Sequence, residues 1–265
     1  MIKGLVSIIT PAFNAARYIP ETINSARAQT YPSWEMLVID DCSTDDTRGI
    51  VQAQAQLDDR IRLITLERRS GPAGARNEGF RNARGQYIAF LDSDDLWMPT
   101  KLEEQLAFMK ERDIAFSYTR FRLMTEEGRE AREMIHSPMV YDFDGLLRSS
   151  AGLGCLTVIV DVEKTGPIEM VVSSDFPSME DFILWLQLAK RGFRAYGMPR
   201  DLARHRVVPG SFSSNKLLQA KVRWAIYRKM EKLTFLHSLS LFASYSWKAC
   251  RRQLTRLQWQ QRIRG

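Results

Sequence analysis

The strongest constraint on the fold is a rhythm in the first hundred residues. Near-continuous apolar runs recur at Leu5 to Thr10 (LVSIIT), Met36 to Asp40 (MLVID), Ile61 to Leu66 and Tyr87 to Leu91. A strand that is apolar at successive positions, not alternate ones, is buried on both faces, as in a parallel sheet. Helical segments separate the runs. One covers Tyr18 to Ala28, and one follows CSTDDT through Val51 with Ser43 or Thr44 as N-cap. SGPAGARNEGF reads as a glycine-punctuated loop and a short helix, and Pro99 begins a helix to near Arg112. Successive strand–helix units predict a parallel sheet with right-handed crossovers, and a binding crevice outside the carboxyl ends of its strands. The residues delivered there are Pro11 to Asn14, Asp40 and Asp41, and Asp92 to Asp95.

After Asp113 the pattern loosens. Phe116 to Met124 alternates in part, Thr157 to Val160 is a further strand, and Phe182 to Arg191 is a helix ended by Gly192. The fold class is α/β, with a mostly parallel central sheet flanked by helices.

FLDSDDLW places Asp92, Asp94 and Asp95 directly after a buried strand. Clustered carboxylates need compensation, and a divalent cation is the usual source because hard cations prefer carboxylate oxygen. A cation held by one or two carboxylates keeps positions open for phosphate oxygens, which suits a nucleoside diphosphate. The plainer alternative is a solvated turn in which Asp94 or Asp95 caps the next helix. A second acidic strand end, Asp40 and Asp41, favours a ligand that uses both.

VSIITPAFNAARYIPETINSARAQTYPSWEMLVIDDCSTDDT and GPAGARNEGFRNARGQYIAFLDSDDLWMP together resemble glycosyltransferase family 2, and the likeness returns at MEDFILWLQLAKRG, residues 179 to 192. The resemblance implies a GT-A fold, a nucleoside-diphosphate sugar donor (a UDP-sugar), Mg²⁺ or Mn²⁺, and inversion at the anomeric centre. It implies that Pro11 and Phe13 contact the nucleoside and that Asp41 bonds the base. Arg76 lies near the nucleotide, Asp92 near the ribose and Asp94 on the metal. The resemblance also implies that Asp181 is the catalytic base, with Glu180 as its fallback. RHRVVPGSFSSN resembles a loop over the diphosphate, with Arg206 and His205 as phosphate contacts. Asp181 has a structural alternative, because SMED fits a capping box with Ser178 as N-cap. Residues 1–98 form the nucleotide-binding half and 99–215 the acceptor half of one GT-A domain.

Net charge is +7, but it is unevenly placed. From Lys216 onward there are 12 Lys/Arg against one acidic residue, Glu231, while the preceding 215 residues are net −4. Residues 216–265 therefore form a basic helical tail. On a helical wheel Phe235, Leu236, Leu239, Phe242, Ala243, Trp247, Cys250 and Leu254 share a face, which Leu241 and Tyr245 interrupt. A cationic helix with aromatics suits a membrane interface; the alternative is packing on the domain. No nucleic-acid motif accompanies the basic tail. No apolar stretch is long enough to span a bilayer, and the opening MIKGLVSIIT is too short a run for a signal peptide. Three scattered cysteines, Cys42, Cys155 and Cys250, fit a reducing compartment. These features suggest a cytoplasmic protein, peripheral on the inner membrane face, and the family resemblance implies a saccharide or lipid-linked saccharide acceptor of surface polysaccharide synthesis. Arg68 and Arg69 read as a solvated turn, and Cys42, Cys155 and His136 as ordinary residues. Two rivals stand beside this reading. A sugar nucleotidyltransferase would carry a basic glycine-rich loop, which TPAFNAAR lacks. A receiver-like, membrane-docked module would bind no nucleotide sugar.

Overall fold

The computed structural model describes residues 1–135, 139–149, 153–208 and 216–247. His136, Cys250 and Leu254 lie outside them. The alternating first half builds β1 (Ile2–Ala12), α1 (Ile19–Arg27), β2 (Trp34–Asp40), α2 (Thr47–Leu57), β3 (Ile61–Thr65), α3 (Gly71–Asn82) and β4 (Gly85–Phe90). The second half adds β5 (Leu96–Trp97), α4 (Lys101–Glu111), β6 (Phe116–Met124), β7 (Glu130–Ile135), β8 (Val140–Tyr141) and α5 (Phe143–Arg148). Then come β9 (Val158–Asp161), α6 (Val162–Thr165), α7 (Glu180–Lys190), β10 (Ala195–Arg206) and α8 (Lys216–Ala225), which continues as a π-turn over Ile226–Met230. A last helix, α9, spans 235–247.

One mixed sheet runs β3-β2-β1-β4-β9-β6-β10-β5, with β7 on β6 and β8 on β10. Its first four strands are mutually parallel, as the apolar runs predict. The strand expected at Thr157 to Val160 is β9, and it enters antiparallel between β4 and β6. Helices cover both faces. One apolar core lies under α1, α2 and α4, the other under α3, α5, α7 and the tail.

Several boundaries differ from expectation, and each has a local cause. The α2 helix starts at Thr47 because Ser43 and Thr44 are used elsewhere: Ser43 Oγ accepts the Asn14 N–H, and Thr44 donates to Asn14 Oδ1. Helix α4 starts at Lys101, and the Pro99 carbonyl instead accepts the Thr30 N–H. In place of a loop and a short helix, α3 runs 12 residues despite three glycines and Pro72. Propensity is overridden by packing. At Gly79 the helix lies directly on the sheet, where an added Cβ would stand 2.6 Å from Ile9 Cγ2 and 2.9 Å from Ile39 Cδ1. The first turn is capped from outside, since Asp41 at the end of β2 accepts the Ser70 and Gly71 N–H groups at 2.6 and 2.9 Å. Strand β10 has no apolar rhythm in the sequence and contains Pro199, with register shifts at Met198/Asp201 and Asp201/Ala203.

Helix α7 is apolar nearly all round and is buried between sheet and tail, with Trp185 against Phe90 and Phe116 at 5.5 and 5.1 Å between ring centroids. The α8 segment runs alongside α7 in the same direction. Arg223 lies 3.6 Å from the Phe182 ring centroid, and eight residues further along both chains Lys190 pairs with Glu231 at 2.6 Å. Helix α9 folds back, with Trp224 edge-on to Phe235 and Phe242. The expected apolar face is divided here. Leu241, one of the interruptions, is fully buried, and Phe242 packs on the core beside it, while Phe235, Leu236, Leu239 and Trp247 are 48–77% exposed.

Candidate active site

The carboxyl ends of β1, β2 and β4 meet at one edge. Pro11 stands opposite Ile39 in the last paired stretch of β1, and Phe13 follows that strand, 37% exposed. The Arg69 guanidinium stacks 3.5 Å from the Phe13 ring centroid, so Arg69 is an element of this edge. Asp41 is held next to them, because its N–H donates to the Ala12 carbonyl and its carboxylate is engaged by Ser70 and Gly71.

The three aspartates after β4 are separated by their partners. Asp92 Oδ1 accepts from Arg76 Nη2 at 2.5 Å. Asp95, fully buried, faces His205 Nδ1 at 3.2 Å and accepts the Arg206 N–H at 2.8 Å. It caps no helix. Asp94 has no such cation of its own. Burial, then Asp95 and Asp92, push its carboxyl up to about 7, against partial relief from His205. Burial also raises Asp95, opposed by His205. Burial alone would lower His205, but Asp95 outweighs it and raises the imidazole to about 9. The residue is therefore cationic at neutral pH, with its side chain 36% exposed.

Arg76 is the hinge of the site. It projects from α3, is 6% exposed, and joins Asp92 to Glu180 Oε1, 3.7 Å from its Nη1. Burial would lower its pKa, but the Asp92 and Glu180 carboxylates reverse that and raise it. Through Arg76 the end of β4 is tied to the start of α7, where Asp181 is partly buried. Burial and then Glu180 push the Asp181 carboxyl up to about 6, against Arg76. The capping box is absent. Helix α7 begins at Glu180, its N-cap is Met179 with no side-chain cap, and Ser178 has a left-handed φ of 60°. Asp181 Oδ1 instead accepts the adjacent Phe182 N–H at 2.6 Å. Cys155 closes the floor, its thiol pushed well up by burial.

Arg206 departs from its expected place at a phosphate. Its side chain is 1% exposed and donates to Asp94 O at 2.8 Å, Glu126 O at 2.7 Å and Glu21 Oε2 at 2.6 Å. It braces the Asp94 backbone against α1 and the β6–β7 turn; His205 is the cation left facing the site. The Arg76–Glu180 pair and the Asp95–His205 pair went unread in the sequence, because each joins strand and helix ends far apart in the chain. Asn77 also went unread. It exchanges two 2.8 Å hydrogen bonds with the Met170 backbone and so ties the segment before α7 to α3.

The sequence matches the profile described as Glycosyl transferase family 2 over residues 7–157, more than half of the chain. The chain belongs to glycosyl transferase family 2. It is 45% identical over 252 residues to a putative teichuronic acid biosynthesis glycosyltransferase, TuaG, of Bacillus subtilis (strain 168), covering 95% of this chain and 98% of that one. It is 38% identical over 223 residues to the Escherichia coli UDP-Glc:alpha-D-GlcNAc-diphosphoundecaprenol beta-1,3-glucosyltransferase WfgD, covering 84% and 85% of the two chains. Among solved structures, residues 1–349 of S. aureus TarS in complex with UDP-GlcNAc align with a TM-score of 0.68 at 22% identity, over 91% of this chain and 71% of that one. The mannosyltransferase PcManGT from Pyrobaculum calidifontis, in complex with GDP-Man and Mn²⁺, aligns with a TM-score of 0.65 at 20% identity, over 89% and 69%. At these identities the likeness is one of fold, and it is the GT-A fold. As a family 2 member the chain is a glycosyltransferase, which sets aside the nucleotidyltransferase and receiver-like readings.

Proposed function

We propose that this glycosyltransferase moves a sugar from a UDP-sugar to a hydroxyl of a lipid-linked saccharide, with inversion, using Asp181 as base and a divalent cation, Mg²⁺ or Mn²⁺, at Asp94. The observation that carries the reading is the Arg76 bridge. It joins Asp92 of the nucleotide edge to Glu180, whose neighbour is Asp181. A donor and an acceptor hydroxyl would thus be held on two sides of one charged hinge.

Asp94 fits a cation by the chemistry of its donor set. It is a partly buried carboxylate among carboxylates, and only His205 among its neighbours opposes their charge. Among the described residues no three potential ligands converge into a closed metal site. Asp94 would hold a divalent cation here, leaving positions open for the oxygens of a nucleoside diphosphate. When bound, such a cation neutralises charge on the departing diphosphate. In this reading residues 1–98 hold the nucleotide: Pro11 and Phe13 line the base, Asp41 is within its reach, and Asp92 is near the ribose. His205 faces the diphosphate, Arg206 holds the Asp94 backbone in place, and residues 99–215 receive the acceptor.

Asp181 takes the proton of the acceptor hydroxyl as it attacks. A carboxyl near 6 is ionised at neutral pH yet more basic than a solvated aspartate, which suits a general base. Attack from the side of α7, with the diphosphate leaving toward β4, inverts the anomeric centre. The UDP donor and the lipid-linked acceptor follow the activity of the E. coli relative, and such an acceptor suits the inner membrane face. In Asp181→Asn, the thermal shift caused by UDP-sugar with Mn²⁺ is expected to persist, while transfer falls about 10²- to 10⁴-fold. Equal loss of both would remove Asp181 from the base role.

A further inference from the structure

We infer that the outer face of α9, formed by Phe235, Leu236, Leu239 and Trp247, docks on an anionic lipid bilayer. At 100° per residue these four side chains fall within about 120° of the wheel, on the side away from Leu241 and Tyr245. They are 58%, 77%, 48% and 69% exposed, whereas Leu241 and Ser238 are fully buried. The helix therefore spends its other side on the protein and leaves a stripe of aromatic and aliphatic residues bare.

The charge around the stripe selects the occupant. Lys221, Arg228, Lys229 and Lys232 are exposed on α8 and the connecting turn. The one acid of this region, Glu231, is 4% exposed and neutralised by Lys190. An apolar stripe with cations beside it and no exposed acid is the pattern of a helix that lies in a headgroup layer. Trp247, amphipathic and at the end of the stripe, suits the layer boundary. Among the described residues no helix is long and apolar enough to cross a membrane, so the contact is one of lying on it.

The packing gives docking a consequence for catalysis. Tyr245 lies against Arg223, which lies on Phe182, the residue whose N–H is bonded to Asp181. Glu231 is at the opposite end of α7, on Lys190. The Trp247 end of the stripe is thus the end nearest Asp181, and a docked enzyme turns that end of α7 toward the bilayer, where a lipid-linked saccharide presents its hydroxyl. This last step rests on the function proposed above; the docking itself does not.

The test is co-sedimentation of the full chain with vesicles of phosphatidylcholine alone and of equal parts phosphatidylcholine and phosphatidylglycerol. Binding is expected to the anionic vesicles only, and to weaken with salt. Each lysine neutralised near the surface lowers partition about fivefold, so Lys229→Gln/Lys232→Gln falls about 25-fold. Leu236→Ser/Leu239→Ser falls on the order of tenfold or more. Both variants keep the wild-type thermal shift with UDP and Mn²⁺, since none of these residues lines the nucleotide edge. The proposal is overturned if the wild type ignores anionic vesicles, or if the leucine variant binds them as well as wild type. It is equally overturned if the wild type is a dimer that this variant dissociates, because the stripe then covers a second copy. Loss of the nucleotide shift in the wild type would instead strike the proposed function and leave the docking result standing.

Discussion

Replacing Arg76 with methionine tests the hinge on which the two halves of the site meet. The side chain keeps its volume and loses its charge at a position 6% exposed. Two carboxylates then lose their partner at 2.5 and 3.7 Å. Opposite charges near 4 Å attract by about 4 kcal/mol at the effective dielectric of such sites. Removing one member of a buried pair costs roughly 3–5 kcal/mol. Asp92, with its side chain 31% exposed, recovers part of that loss through water, so the lower figure, about 3 kcal/mol, applies. For a chain of this size that lowers Tm by roughly 6–12 °C.

The more specific signature is in the pH profile. Arg76 opposes the upward pressure of burial and Glu180 on Asp181, whose carboxyl lies at about 6. Without Arg76 the acid form gains further. In wild type kcat/KM is expected to rise with pH through about 6, as the proposed base ionises. In Arg76→Met that limb moves to higher pH, by about one unit for each 1.4 kcal/mol of lost attraction. Arg76→Lys restores the charge without the fork, and is expected to return the limb toward wild type while recovering only part of the stability. Calorimetry and a pH series of initial transfer rates measure the two effects. A limb that stays in place in Arg76→Met refutes the electrostatic link between β4 and α7, whatever happens to Tm.

Asp94→Ala is expected to abolish the extra thermal shift that Mn²⁺ adds to UDP, with the metal-free Tm unchanged or higher, since a strained carboxylate is removed. The Asp181 carboxyl is raised in the folded state, from 3.8 to about 6, so its stabilising share is full below pH 4 and is lost as pH rises through 6. Asp181→Asn should therefore be more stable than wild type at pH 7, by up to about 3 kcal/mol at 1.36 kcal/mol per unit, and nearly equal to it at pH 3.5 in denaturant titration. Gly79→Ala places a methyl against Ile9 and Ile39, and is expected to cost about 1–3 kcal/mol in a denaturation midpoint and to weaken UDP binding by lifting Arg76.

Much of the fold was legible because burial on both faces leaves a direct mark on composition. LVSIIT, MLVID and the run ending at Leu91 are strands for one reason, and the order of their crossovers follows from handedness rules. Other elements in both halves were less legible because they are stabilised from elsewhere. Helix α3 has poor propensity and is capped by a carboxylate from β2. Strand β10 carries Pro199 and alternating charges, yet it completes the sheet between β6 and β5. The α9 wheel left open which arc would pack on the domain, for a related reason. Its most apolar arc faces outward, and its buried seam is built from Ser238, Leu241 and Tyr245, with Phe242 at its edge. Hydrophobicity ranks the arcs of a helix, but the protein chooses among them by shape.

The three aspartates after β4 show where sequence reasoning stops and what replaces it. As letters, Asp92, Asp94 and Asp95 are interchangeable, and either a metal site or a helix cap fits them. Their separation is made by cations that arrive from far along the chain. Arg76 comes from α3 to Asp92, and His205 from β10 to Asp95. Two charges are thereby answered within the protein, and the third is left among its like. A stable fold could have supplied one more cation, because Arg206 is already there. It turns its guanidinium instead to the Asp94 carbonyl, Glu21 and the β6–β7 turn. The chain thus keeps Asp94 raised to about 7 with a buried arginine beside its own backbone. A carboxylate left among its like, next to a cation turned elsewhere, is the observation that supports the proposed cation at Asp94 over a capped turn.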